Sequence, residues 1–254
     1  MPPVVFIHGT NAGPWTMRNF RAHFEAAGFA CHSPAYRHHD PTPSRTEPDA
    51  LVGLGIADYV EDIADAISGL AERPILIGHS LGGVVAQKLA ARDMVSACVL
   101  LNSSVVNGVL PTTREERSLG KAFMGAGAFW ETTMLPDFET MATFGLNKLP
   151  EREQHAMFDQ LGPESGRVLF ELFFWMFDEN QTTRIDFDAI DCPVLFISGS
   201  EDLAIPPSTA RVTASRHRHA DCHEAEGFGH YLMLEPNWRE IAALAEAWIR
   251  DKVS

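Results

Sequence analysis

The sequence predicts an α/β fold: a mostly parallel six-stranded sheet flanked by helices, with a helical cap inserted before the last two strands. Three observations lead there. Short apolar, β-branched runs alternate with stretches of helical periodicity, the pattern of strand–helix–strand units. The 254 residues, 45% apolar and 21% charged, suit one globular domain carrying a large insertion. Between residues 107 and 188 the strand signal disappears.

The elements follow in order. Residues 4–7 (Val-Val-Phe-Ile) form the first strand and end at His8-Gly9. A helix follows with Phe20, Phe24 and Ala27 on one face and Gly28 as its stop. A second strand over 29–33 is broken by Pro34, and 37–56 reads as a polar, Pro-rich loop. Val60, Ile63, Ile67 and Leu70 mark an amphipathic helix. Strands over 74–77 and 95–101 enclose a helix over 80–92, a further strand covers 194–198, and a weaker one 220–224. The last helix turns Trp238, Ile241, Leu244, Ala245 and Trp248 inward.

The core is therefore expected at 1–106 and 189–254, with 107–188 as the cap. That stretch holds ten of the 16 Phe, five of the nine Met, Trp130 and Trp175. Pro111, Pro136, Pro150 and Pro163 divide it into several short helices. Phe170, Phe173, Phe174 and Phe177 stand at the spacing of a helical core, while the inner surface must face the sheet.

Twenty Lys and Arg against 34 Asp and Glu give a net charge of −14, which argues against nucleic acid and anionic membrane surfaces. Cys31, Cys98, Cys192 and Cys222 are far apart, with no short Cys pair for a metal, and read as reduced thiols beside apolar stretches. His38-His39-Asp40 reads as solvated or loop-fastening, and His217, His219 and His223 as a polar surface segment. No apolar run reaches membrane-spanning length, and the opening residues lack the pattern of a secretory leader, so a cytoplasmic setting is expected.

Chemistry enters at Gly78-His79-Ser80-Leu81-Gly82. A G-x-S-x-G match alone is weak, arising by chance in about one chain in twelve of this length. Its setting strengthens it. Ile75-Leu76-Ile77 before it and Val84-Val85 after it supply a strand and a helix, so Ser80 would project from the sharp turn between them. At a helix start, free N–H groups and the helix dipole face developing negative charge. A base and an acid are then required. Of the eleven histidines, His230 lies in a glycine-loosened loop before the last helix. Asp202 emerges at the carboxyl end of the 194–198 strand, where open α/β sheets build their sites, with Glu201 as its competitor. The loop after the 95–101 strand offers Asn102, Ser103 and Ser104 but no carboxylate.

With His8-Gly9-Thr10, Gly78-His79-Ser80-Leu81-Gly82, Gly199-Ser200-Glu201-Asp202 and Gly229-His230 in this order and spacing, the chain resembles the α/β-hydrolase superfamily from first strand to last helix. The resemblance implies Ser80 as nucleophile, His230 as general base and Asp202 as its orienting acid. It implies the backbone N–H groups of Thr10 and Leu81 as the oxyanion hole, and a structural role for His8. His79, Trp130 and Trp175 are the candidates for substrate contact. No metal or cofactor is implied. A first strand at Val4 leaves no room for the two antiparallel strands that open the full fold, and compact plant methylesterases and hydroxynitrile lyases are similar in this respect. They also resemble the stretches at 8–15 and 25–28. Where many relatives carry D-x-R-G-x-G, Ala35-Tyr36-Arg37-His38-His39-Asp40 keeps only the arginine.

The reaction so implied is acyl transfer from an ester to water through an acyl-enzyme, with each oxyanion donor contributing about 3 kcal/mol. The Phe- and Met-rich insertion suggests a small to medium hydrophobic group on the substrate. Rival readings are a lactonase, thioesterase or carbon–carbon hydrolase using the same three residues. Others are a hydroxynitrile lyase or cofactor-free perhydrolase, and a hormone-binding module that keeps the triad. Tyr231, Leu232 and Met233 follow His230 where a lyase of that kind usually has a lysine nearby. The insertion's exposed aromatics would serve a homodimer interface as readily as a substrate entrance.

Overall fold

The computed structural model describes residues 1–39, 46–125 and 127–253. Strand β1 (Val4–Ile7) is buried along its whole length, and helix α1 (Arg18–Ala26) seats Phe20 and Phe24 in the core. Each such ring contributes roughly 1.5–3 kcal/mol by burial. The chain reverses through Gly28, whose φ of 89° lies in the left-handed region. Strand β2 is only Cys31–His32, shorter than expected because it lies at a sheet edge and Pro34 follows two residues on. The expected 37–56 loop falls partly outside the described residues; its described part holds a 3-10 turn at Pro48–Leu51. Helix α2 (Ile56–Ser68) starts where the Asp58 carboxylate accepts the Gly55 N–H at 2.9 Å.

Strand β3 (Ile75–His79) runs into the elbow, helix α3 (Leu81–Ala90) leaves it, and β4 (Ala97–Leu101) follows. The described residues of the 107–188 segment then contribute nothing to the central sheet. It carries α4 (Arg114–Met124), β5 (Thr133–Met134), the short α5 (Phe138–Thr140), α6 (Glu151–Phe158), β6 (Glu164–Ser165) and α7 (Gly166–Phe173). The antiparallel ribbon of β5 and β6 was not expected, since two residues per strand are too few to show a period. The chain returns through β7 (Val194–Gly199), α8 (Pro207–Ala214), β8 (Ala220–Ala225) and α9 (Trp238–Lys252).

The six strands are all parallel, in the order β2-β1-β3-β4-β7-β8. Side chains alternate faithfully across this sheet. Val5, Ile7, Leu76, Leu100 and Phe196 pack with α2 and α3, whereas Val4, Phe6, Ile75, Ile77, Val99, Leu101 and Ile197 pack with α1 and α9. The weak signal at β8 has a cause: it is an edge strand with most side chains exposed, Cys222 and His223 among them. In α9, Ile241, Ala242, Ala245 and Ile249 are buried, while Trp238, Leu244 and Trp248 stay half-buried. Trp248 instead donates its indole N–H to Asp221 at 2.7 Å. Among the described residues, no helix is long and apolar enough to cross a membrane.

Candidate active site

The strand-to-helix turn carries its serine in a strained backbone. Ser80 has φ 53° and ψ −118°, which only a tightly determined surrounding maintains in a non-glycine residue. The flanking glycines show why no other residue fits. A Cβ on Gly78 would stand 2.3 Å from the Gly82 oxygen, and one on Gly82 would stand 2.4 Å from the Ile7 oxygen. The elbow is pinned by the Ser80 N–H donating to Leu101 O at 3.1 Å, while Ser80 O accepts from the N–H groups of Gly83 and Ser104.

The structure brings Asp202 and His230 together from separate positions in the chain. Nδ1 of His230 donates to Asp202 Oδ2 at 2.8 Å, and Oδ1 of the same carboxylate accepts the N–H groups of Ala204 and Ile205 at 2.8 and 2.9 Å. Both side chains are buried. Holding the proton on Nδ1 leaves Nε2 as the basic nitrogen. Glu201 is exposed and pairs with Lys148 at 2.7 Å, so it takes no part in this contact.

Behind the imidazole, its backbone is clamped. Asn102 Nδ2 donates to the carbonyls of Gly229 and His230 at 2.8 and 2.7 Å, and its Oδ1 accepts the Gly199 N–H at 2.8 Å. His79 adds Nε2–H to the His230 carbonyl at 2.9 Å. Burial, then the nearby His230, hold the His79 imidazole well below its ordinary pKa, so it is a neutral donor. Asn102 was visible in the sequence only as a non-carboxylate; its φ of 44°, which asparagine tolerates, is the signal of its special place.

Ser80, His230, Thr10 and Ser104 open into one cavity of about 290 Å³. Its walls are mainly apolar: Leu119, Phe123, Met134, Met141, Phe144 and Phe173. Inside it the Ser80 hydroxyl lies 3.2 Å from the Ser104 hydroxyl, and among the described residues no hydrogen bond joins Ser80 to His230. Three expected substrate contacts are corrected. None of His79, Trp130 and Trp175 lines the cavity. His79 is fully buried on the His230 carbonyl, and Trp175 packs behind the wall formed by Leu119, Ala204 and Ile205. Trp130 is 42% exposed on an outer groove with Phe123, Phe170, Phe174 and Phe177. These phenylalanines are thus not a closed core, and Phe177 is 69% exposed. Phe123 separates groove from cavity, lining both.

One further expectation changes. His217 is buried, donating its Nε2–H to Gln87 Oε1 at 3.0 Å, and desolvation pushes it down to about 4; only His219 and His223 are on the surface. His39 is fully buried and fastens a loop, whereas Asp40 lies outside the described residues. Among the described residues, no three metal-ligating side chains gather at one point.

Residues 8–11, after β1, are held from both sides. His8 is pushed down to about 3 by burial and the nearby His39, so it is neutral. Its Nδ1–H donates to Gly9 O at 2.9 Å, its Nε2 accepts the Tyr36 N–H, and Tyr36 Oη donates to His8 O at 3.1 Å. Opposite, the Asn11 N–H reaches Glu164 Oε2 at 3.1 Å.

Several solved structures share this architecture. Methylketone synthase I of tomato, complexed with 2-tridecanone, matches with a TM-score of 0.75 at 16% identity over 99% of this chain and 98% of that one. A methylesterase from Arabidopsis gives 0.72 at 18% identity over 97% and 98%. The monoacylglycerol lipase of Paleococcus ferrophilus gives 0.72 at 20% identity over 98% and 95%. At such identities the likeness is one of fold. The family profile reaches further, matching residues 4–244, from the first strand into the last helix: the chain belongs to the alpha/beta hydrolase family.

Proposed function

We propose that this protein hydrolyses carboxylic esters bearing a small to medium hydrophobic group, through a Ser80–His230–Asp202 triad and an acyl-enzyme. The observation that carries the reading is the 2.8 Å Asp202–His230 bond beside a strained serine elbow in one apolar cavity. In this mechanism the Ser80 hydroxyl swings from Ser104 to Nε2 of His230, which takes its proton as Oγ attacks the ester carbonyl. Asp202 keeps the proton on Nδ1 and stabilises the imidazolium. The N–H groups of Thr10 and Leu81 receive the oxyanion. His230 then protonates the leaving alcohol, and water repeats the sequence in reverse to release the acid.

The cavity argues for the substrate class. A space near 290 Å³ walled by phenylalanine, methionine and leucine suits a short apolar chain, and Asp137 among its lining residues disfavours anions. The 107–188 segment, which supplies most of those walls, acts as the cap. The four unpaired cysteines suit a reducing cytoplasm. A panel of 4-nitrophenyl esters tests the substrate claim. Turnover should peak at short to medium acyl chains and fall for long or carboxylate-bearing ones; equal rates across the panel would refute it.

A further inference from the structure

The 107–188 segment buries the carboxylate of Glu164, on β6, completely. This side chain is 0% exposed and none of the steps above uses it. Burying a carboxylate is costly unless it is paired and hydrogen-bonded, and here each oxygen is satisfied. Oε1 accepts the Tyr59 hydroxyl at 2.7 Å and the Ser165 N–H at 2.8 Å. Oε2 accepts the Asn11 N–H at 3.1 Å and stands 3.4 Å from Nε2 of His39, itself 0% exposed. Burial alone would raise the Glu164 carboxyl and depress His39. Their mutual attraction and these bonds reverse both tendencies, holding the Glu164 carboxyl below its ordinary range and the His39 imidazole above its own.

The contact to Asn11 is the informative one. Asn11, with φ 55°, is tied to the segment by two more bonds: its Nδ2 donates to Gly162 O at 2.8 Å, and its carbonyl accepts the Gly162 N–H at 3.1 Å. The residue before it is Thr10, whose N–H is carried by the Gly9–Thr10 peptide. That peptide's carbonyl is held by His8, and the next peptide's N–H is held by Glu164. The two anchors bracket Thr10. Glu164 is also the register partner of Met134, a wall of the catalytic cavity, so one ribbon shapes the substrate space and grips this loop.

We propose that Glu164 is a positioning residue for the oxyanion hole: paired with His39, it fixes the Thr10–Asn11 peptide from the 107–188 segment and so aims the Thr10 N–H. The proposal rests on the esterase reading above, with Thr10 as a donor. Since catalysis depends on that N–H meeting the tetrahedral oxygen and not the ground-state carbonyl, a loosened loop should weaken transition-state stabilisation and leave substrate binding alone.

The test compares the wild-type chain with Glu164→Gln, which keeps the shape but removes the charge and turns one acceptor into a donor. With 4-nitrophenyl butyrate, kcat should fall about thirtyfold while KM stays within about threefold, less than the loss of a whole donor would cause. A phenyl trifluoromethyl ketone, which forms a tetrahedral adduct on a serine, should lose affinity by a similar factor, while phenyl methyl ketone should bind unchanged. A variant with unaltered kcat and trifluoromethyl ketone affinity, or with both ketones weakened alike, overturns the proposal. Should Glu164→Gln fail to fold, Tyr59→Phe decides, because it withdraws one donor yet leaves the ion pair. It should lower kcat about threefold at constant KM, and no change would count against the proposal. A wild-type chain without Ser80-dependent turnover would bring down the esterase reading itself, and this proposal with it.

Discussion

Two buried carboxylates grip the two loops of the site, and they do so with opposite electrostatics. Glu164 holds the loop after β1 through the Asn11 N–H, and Glu235 holds the histidine loop through the Gly229 N–H, at 3.0 and 3.1 Å to its two oxygens. Glu164 has the buried His39 imidazole beside it and three hydrogen-bond donors around it, and its carboxyl sits below the ordinary range. Glu235 has no such partner. Lys148 pulls on it but is engaged by Glu201 at 2.7 Å, and burial pushes the Glu235 carboxyl up to about 7. The same bond to a backbone N–H is therefore made by a fixed anion at one loop and by a titrating group at the other. Compensation by a neighbour, more than burial itself, decides which.

Removing the compensated anion should be the more damaging change. Glu164→Leu strands the Tyr59 hydroxyl, the N–H groups of Asn11 and Ser165, and the His39 imidazole, and should cost about 3–5 kcal/mol at neutral pH by denaturant unfolding. The sign with pH follows from the lowered folded pKa. The contribution of Glu164 is present above its unfolded value and is lost as pH falls through the folded one, so wild type and variant should converge in acid. A gap that persists unchanged through the acid range would mean that packing, not charge, holds this contact.

Glu235→Gln should act in the other direction and more weakly. A carboxyl raised to about 7 stabilises the native state fully below its unfolded pKa, and that contribution is lost as pH rises through about 7. The amide keeps an acceptor for Gly229 and does not ionise. The variant should therefore match wild type in mild acid and exceed it at pH 8 by on the order of 2 kcal/mol. A destabilised variant at pH 8 would show instead that the ionised form is well served by its surroundings, and the contrast between the two loops would dissolve.

Features whose physics is local could be read from the linear chain. Gly78, Ser80 and Gly82 announce the elbow because the steric demand lies within five residues, and the apolar run of β3 and the helix of α3 confirm its setting. Asp202 and His230 were legible because one follows a recognisable strand and the other lies in a glycine-rich loop ahead of the last helix. Glu164 was not, since its partners lie 105 and 153 residues away and Pro163 before it reads only as a break between short helices. The tryptophans misled for a related reason. An aromatic-rich segment has an inner and an outer face, and short helices interrupted by proline give no period from which to tell them apart. Trp130 therefore sits on the outer groove, while Leu119, Met134 and Phe144 face the serine.

Ser80 as the nucleophile is the claim on which the rest depends, and covalent labelling addresses it most directly. A fluorophosphonate probe followed by peptide mapping should place a single adduct on Ser80. Ser80→Ala, with an unchanged melting temperature, should lower ester turnover by at least about a thousandfold. An adduct on any other serine, or ester turnover that survives the substitution, would contradict the account.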